Sequence, residues 1–388
     1  MITLPMVITK ALHFWHLNSL ADFKHHSTAC SQLDLTSSLC SETDIKKFNC
    51  LQTISTCILY SLLAALLTAC DPNYSDYEQA LLWKLKLFRR MESNLSKPVD
   101  ARLQKIPTDL LKAIQNDEKS IGIYNAILYT ARTPTADEIA LFKSYLGLLP
   151  TGLQKVFEKK LLAVYLIDDF AGGGLANWVI DRDGHTYYYI ILNSVLFTAS
   201  LDDWLTYKND SQFDKSVASP TIRIQTQTNY KALLYGLLHE GTHIADIEFG
   251  ITPYFDPHHR RLTGRNEVIS SFVNKVWRQW LQPNSQYDFS HRNDLNPYGS
   301  FPKKGYIPRS ELPAMFLQLT KTPFVSFYAG KSWIEDLAEY VAFNHIEKKL
   351  GGAITMELID SGNLVNSYSP INKSSVKQRE KYIQNFYD

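Results

Sequence analysis

Leu237-Leu238-His239-Glu240-Gly241-Thr242-His243-Ile244-Ala245-Asp246 is the stretch whose reading decides the fold. No Pro interrupts Tyr230 to Ile247, and Leu233, Leu234, Leu237, Leu238 and Ile244 recur at helical spacing, which predicts a helix with one apolar stripe. Residues four apart share a helical face, so His239 and His243 can reach one metal ion, with Glu240 beside the place of an activated water. The competing reading is two surface histidines on an amphipathic helix, and a third ligand decides between them.

A catalytic zinc site takes three protein ligands and leaves one position open. Ser332-Trp333-Ile334-Glu335-Asp336-Leu337-Ala338-Glu339-Tyr340-Val341-Ala342-Phe343 supplies candidates, since Glu335 and Glu339 stand four apart on a stripe otherwise made of Leu337, Ala338 and Ala342. One can bind the metal while the other holds a ligating histidine. Ser332 followed by Glu335 also fits a capping box, in which the Glu side chain returns to the N-cap backbone.

These blocks, with Tyr328 placed seven residues before Glu335, resemble the catalytic domain of the anthrax lethal factor type of metallopeptidase, within the thermolysin-like gluzincins. The resemblance implies His239, His243 and Glu335 as zinc ligands, Glu240 as the base, and Glu339 as partner of a ligating histidine. It further implies Tyr328 as the hydroxyl that stabilises the tetrahedral intermediate. It covers short blocks; the interval from His243 to Glu335 is much longer than in thermolysin, and that architecture is not carried over. The chemistry implied is zinc-assisted hydrolysis of peptide or protein substrates. Asp246, three after His243, either hydrogen-bonds a ligand or has a structural role, and we favour the second.

The remaining histidines lack ligand spacing. Adjacent His258 and His259 read as cleft or surface residues, His185 and His291 as turn and loop residues, and His345 as packing. No second metal site is indicated.

The expected fold class is α+β: a zincin-like domain over 151–388 with a small sheet, preceded by a helical region over 71–150. Gln79 to Phe88 and Asp137 to Phe142 carry helical spacing punctuated by Pro98, Pro107 and Pro134. Leu153 to Asp168 reads as a further helix and Gly172-Gly173-Gly174 as a turn near the site or a plain linker. Asn177 to Asp181 and Thr186 to Leu192 read as a hairpin joined by Arg182-Asp183-Gly184-His185. Thr221 to Thr226 is another alternating strand, and thermolysin-like enzymes bind substrate along such a sheet edge. Between Gly250 and Phe324 the chain is long and Pro-punctuated, with one helix expected over Asn266 to Leu281; we expect this stretch to shape the cleft.

At the other end, Lys46-Lys47 precede an uncharged stretch from Phe48 to Cys70 that closes on Leu67-Thr68-Ala69-Cys70. This resembles a bacterial export signal over 46–70 ending in a lipobox, with Cys70 the lipidated residue and the membrane a partner through that anchor. An uncharged stretch of roughly 20 residues also fits a membrane span, but the strongly apolar core is shorter and ends at a Cys. All five Cys fall at or before Cys70, which suits an oxidising cell envelope and leaves neither a disulfide scaffold nor a thiol enzyme in the body. Residues 1–45 do not fit in front of a signal peptide; since no Met occurs between Met6 and Met91, translation starting downstream at a non-Met codon is one account. Asp71 resembles an inner-membrane retention signal.

A net charge of +1 with 20% charged residues gives no polybasic patch, so nucleic acid is not an expected partner. Two functions stay open: an envelope-anchored zinc metallopeptidase, and a non-catalytic envelope lipoprotein that keeps zinc for stability or binds a partner through the same cleft.

Overall fold

A computed structural model describes residues 74–253, 256, 259–260 and 271–388. The leader 1–45, the export signal 46–70, Cys70 and His258 lie outside the described residues. Among those described, no helix is long and apolar enough to cross a membrane.

Nine α-helices are described: α1 (Tyr74–Met91), α2 (Thr108–Ser120), α3 (Ala136–Leu146), α4 (Thr151–Lys160), α5 (Leu201–Asp210), α6 (Leu233–Phe249), α7 (Leu312–Thr320), α8 (Trp333–Lys348) and α9 (Ser374–Lys377). The strands are β1 (Leu103–Lys105), β2 (Thr130–Arg132), β3 (Leu161–Asp168), β4 (Gly174–Ile180), β5 (Thr186–Asn193), β6 (Thr221–Gln225), β7 (Trp277–Gln279), β8 (Gln282–Pro283), β9 (Thr355–Asp360) and β10 (Asn363–Tyr368). The architecture is α+β with small sheets.

The main sheet runs β1-β3-β5-β4, with β2 also on β3. β3 and β5 are parallel, Val164 opposite Ile190, and β4 pairs antiparallel with β5 to form an edge. Both faces of its centre are buried. Val164, Leu166, Ile190 and Leu192 join the core shared with α4, α6 and α8, while Tyr165, Ile167, Tyr189 and Ile191 join Leu87, Phe88, Leu110 and Ile114 of α1 and α2. A second, antiparallel sheet runs β10-β9-β6.

Three expectations need correction. The helix predicted over Leu153 to Asp168 ends at Lys160, and Leu161 to Asp168 is β3. A strand buried on both faces has no polar alternation, so its apolar run imitates a buried helix. The region 71–150 is not wholly helical, because β1 and β2 join the main sheet. The described part of the helix predicted over Asn266 to Leu281 is turn and hairpin. Lys275 sits at φ 71°, outside helical space, and Trp277 pairs with Pro283. The 177–192 hairpin forms as expected, closed by Gly184 at φ 82°.

The core under α1 and α2 buries Asp117 and Glu118 on α2 and Lys84 on α1. Glu118 accepts the Tyr129 hydroxyl, whose oxygen in turn accepts the Ala171 backbone N–H at 3.1 Å. Burial pushes the Glu118 carboxyl up to about 7 against the opposing Tyr129 hydrogen bond, and burial pushes Asp117 up to about 8. A carboxyl whose folded value is raised gives stability that is complete below its ordinary value and is lost as pH rises through the folded one. Urea unfolding should therefore show Glu118 withdrawing about 3 kcal/mol between pH 4.5 and 7. Glu118→Gln should flatten that slope and leave the part due to Asp117; an unchanged slope in the variant would contradict it.

Candidate metal centre

Helix α6 is buried from Leu233 to Ile247, so its histidines are interior groups. Gly241 permits this burial, because a Cβ there would lie 2.9 Å from Leu153 Cδ2 and Phe157 Cζ of α4. His239, Glu240 and His243 are 5–7% exposed. Helix α8 crosses α6 and brings Glu335 to both histidines.

Three ligand atoms converge. Glu335 Oε2 lies 3.1 Å from His239 Nε2 and 3.6 Å from His243 Nε2, and the two Nε2 atoms are 3.3 Å apart. Nitrogen and oxygen ligands at 2.0–2.1 Å from a tetrahedral ion stand about 3.3 Å from one another. The edges of the triangle are of that size, so the three residues could hold one small metal ion.

The proton inventory at the triangle suits a positive charge. His239 Nδ1 lies 3.0 Å from Glu339 Oε1, so the neutral imidazole places its proton there and turns a lone pair toward Glu335. Glu335 Oε2 is buried against the two histidine rings. Burial disfavours the Glu335 charge, yet His243 and His239 hold its carboxyl well below the usual range. Burial likewise opposes charge on His239, but Glu335 and Glu339 raise it to about 9. Negative potential at the histidines is thus built in, ready for a cation.

Glu339 forms the underlying support. Oε1 accepts the Tyr235 hydroxyl and the Lys208 ammonium besides His239, and Oε2 accepts Ser326 Oγ at 2.6 Å. Burial disfavours its charge, but Lys208 and His239 bring its carboxyl down to about 2. Ser332 Oγ accepts the Glu335 N–H at 3.4 Å as an N-cap, while the Glu335 side chain is at the histidines. Only the serine half of the capping box forms.

Glu240 lies against the edge strand β4. A Cβ on Gly174 would stand 2.8 Å from Glu240 Cγ and 2.8 Å from Ile191 O, so only glycine fits between them. Gly174 opens β4 and is part of the site rather than a linker. Burial raises the Glu240 carboxyl, opposed by His239 and His243 and by a hydrogen bond from the Ala176 N–H. The edge beside Glu240 is thus β4; β6 belongs to the other sheet.

Tyr328 is half-buried in a single 3-10 turn before α8, its ring 5.8 Å from the His239 ring at 29°. It shares a cavity of about 80 Å³ with His239, Glu240, Gly173 and Tyr298. Phe170 to Gly172, Tyr298 and Ser300 also line a neighbouring groove of about 960 Å³. Pro297 to Phe301, from the long stretch expected to shape the cleft, supplies part of the cavity wall.

Asp246 spends both carboxylate oxygens on Thr252, through its backbone N–H at 2.7 Å and its hydroxyl, closing the loop after Gly250. His259 is not at the surface. It is 1% exposed, bonded to Thr186 Oγ1 at 3.0 Å and edge-on to Trp178, because Asp256 ties that segment to the Trp178 indole. His345 packs on Tyr387 and bonds the Leu148 carbonyl. Exposed His185 groups with Asp181 and Asp183 within ligand reach, but Asp181 is occupied by His185 and the turn amides.

Reading the sequence missed Lys208, Tyr235, Ser326 and Tyr298. Tyr235, one helical turn before His239, was discoverable from spacing; nothing in the sequence around Lys208 announces a buried ammonium.

No known family model matches the chain, and neither a curated protein nor a solved structure does.

Equilibrium dialysis should find one zinc per chain, with binding weakened at least 100-fold in Glu335→Ala and in His243→Ala. Wild-type retention in either would dissociate the triangle from metal binding.

Proposed function

We propose that this protein is a zinc-dependent peptidase with a zincin-like catalytic domain. The observation that carries this reading is the convergence of His239, His243 and Glu335 beside Glu240, with His239 and Glu240 both lining a cavity. Zinc held by these three residues supplies Lewis-acid chemistry: it makes water acidic near neutral pH and polarises a carbonyl.

This chain's residues do the rest. Glu240, desolvated and close to both histidines, takes the proton from the attacking water and passes it to the leaving amine. The attack breaks the carbonyl π bond, and the resulting oxyanion needs a donor. Tyr328 has its phenol pushed well above the ordinary value, by burial first and then by Glu335, so it stays protonated and able to donate. Glu339 keeps the His239 ring in one tautomer and one orientation. β4 presents the sheet edge along which an extended peptide can lie.

A structural zinc site closes all four positions, commonly with Cys, whereas here His239 and the adjacent Glu240 line a cavity and no Cys occurs among the described residues. That favours catalysis over a purely structural metal. We extend the proposal to location: lipidation at Cys70 tethers the peptidase to the cell envelope, where it meets peptide or protein substrates.

Glu240→Gln should retain zinc and lose turnover by at least 1,000-fold on a peptide library. Tyr328→Phe should lower kcat by about 100-fold with KM little changed. A Glu240→Gln protein as active as wild type would overturn the proposed mechanism.

A further inference from the structure

Lys208 sits near the end of α5 with its side chain fully enclosed. Its ammonium touches Glu339 Oε1 and the Tyr235 hydroxyl, and lies 4.4 Å from the centre of the Tyr328 ring and 4.6 Å from that of Tyr235. The next residue but one, Asp210, is clamped by Arg309 through contacts of 2.9 and 3.1 Å, so the end of α5 is fixed.

We infer that Lys208 is a positioning residue for both halves of the proposed site: it fixes the carboxylate that orients His239 and braces the ring of Tyr328. The inference rests on the proposed metallopeptidase reading and assigns a new role within it.

Burying an ammonium is costly, and a buried ion pair is often no more stable than an apolar pair of similar volume. Stability alone therefore does not account for this lysine. Its placement does. Glu339 Oε1 is shared by His239, Tyr235 and Lys208, and the ammonium is the charged member that holds the carboxylate between two helices. The same ammonium faces the electron-rich ring of Tyr328, an attraction that fixes the ring and withdraws electron density from it. A phenol so placed is a stronger donor toward an oxyanion. Lys331 stands farther from that ring, at 5.6 Å.

The test uses the full chain carrying Lys208→Met, Glu339→Gln, and the two together. Zinc affinity is read by competition with a chromogenic chelator, geometry by the visible spectrum of the cobalt-substituted protein, and turnover as kcat and KM separately. Lys208→Met should bind zinc 10- to 100-fold more weakly, shift the cobalt bands, and lower kcat at least tenfold with KM within twofold of wild type. The double variant removes both charges and leaves no unpaired ion, so it tests the role even where the single variant fails to fold. It should still show the kcat loss, and that loss should shrink in a Tyr328→Phe background to the part that acts through His239. Wild-type zinc affinity and an unshifted cobalt spectrum in either Lys208 variant would overturn the inference alone. Loss of fold in both would reduce Lys208 to a structural residue and overturn it too. A wild-type protein that binds no zinc would overturn the metallopeptidase reading, and the inference with it.

Discussion

Three proton acceptors within 3.6 Å of one another, enclosed by protein, set the terms for the rest of the molecule. Two imidazole lone pairs and a carboxylate oxygen repel unless positive charge stands among them. Extra protons can supply it, and Glu335 and Glu339 raise His239 to about 9 against the effect of its burial. The proposed divalent cation would supply it with better geometry, since the edges of the triangle have the size set by a small tetrahedral ion. The surrounding structure keeps these groups from relaxing apart: α6 is buried along its length and α8 carries both glutamates at one helical spacing.

Behind the triangle lies a graded chain of charge. Lys208 meets Glu339, Glu339 meets His239, and His239 faces Glu335. The contact with Glu339 fixes the His239 ring with Nδ1 toward that carboxylate and Nε2 toward Glu335. In front, Gly174 lets the edge strand approach Glu240 closely, and Tyr298 and Tyr328 wall the cavity. The proposed metal ligands, the proposed base and the sheet edge thus meet in one small space, the arrangement on which the proposed peptide hydrolysis depends.

Much of this was legible where the periodicity is local. His239 and His243 announce themselves at i and i+4, and so do Glu335 and Glu339, because a helix converts sequence spacing directly into a shared face. The hairpin at 181–184 was legible from its turn residues. β3 was not, since burial on both faces removed the alternation that marks a strand. Glu335 was ambiguous in sequence for a physical reason: Ser332 does cap α8, and only the three-dimensional approach of α6 shows that the Glu side chain serves elsewhere. Lys208 was invisible, because a lysine among Tyr207, Asn209 and Asp210 reads as a solvated helix end, and its burial is created by α6 and α8 closing over it.

The most direct measurement is zinc K-edge X-ray absorption on the full-length protein loaded with one equivalent of metal. The account predicts a first shell of four nitrogen or oxygen atoms at about 2.0–2.1 Å, with the outer-shell scattering of two imidazoles. A six-oxygen shell without imidazole scattering, or sulfur in the first shell, would contradict it.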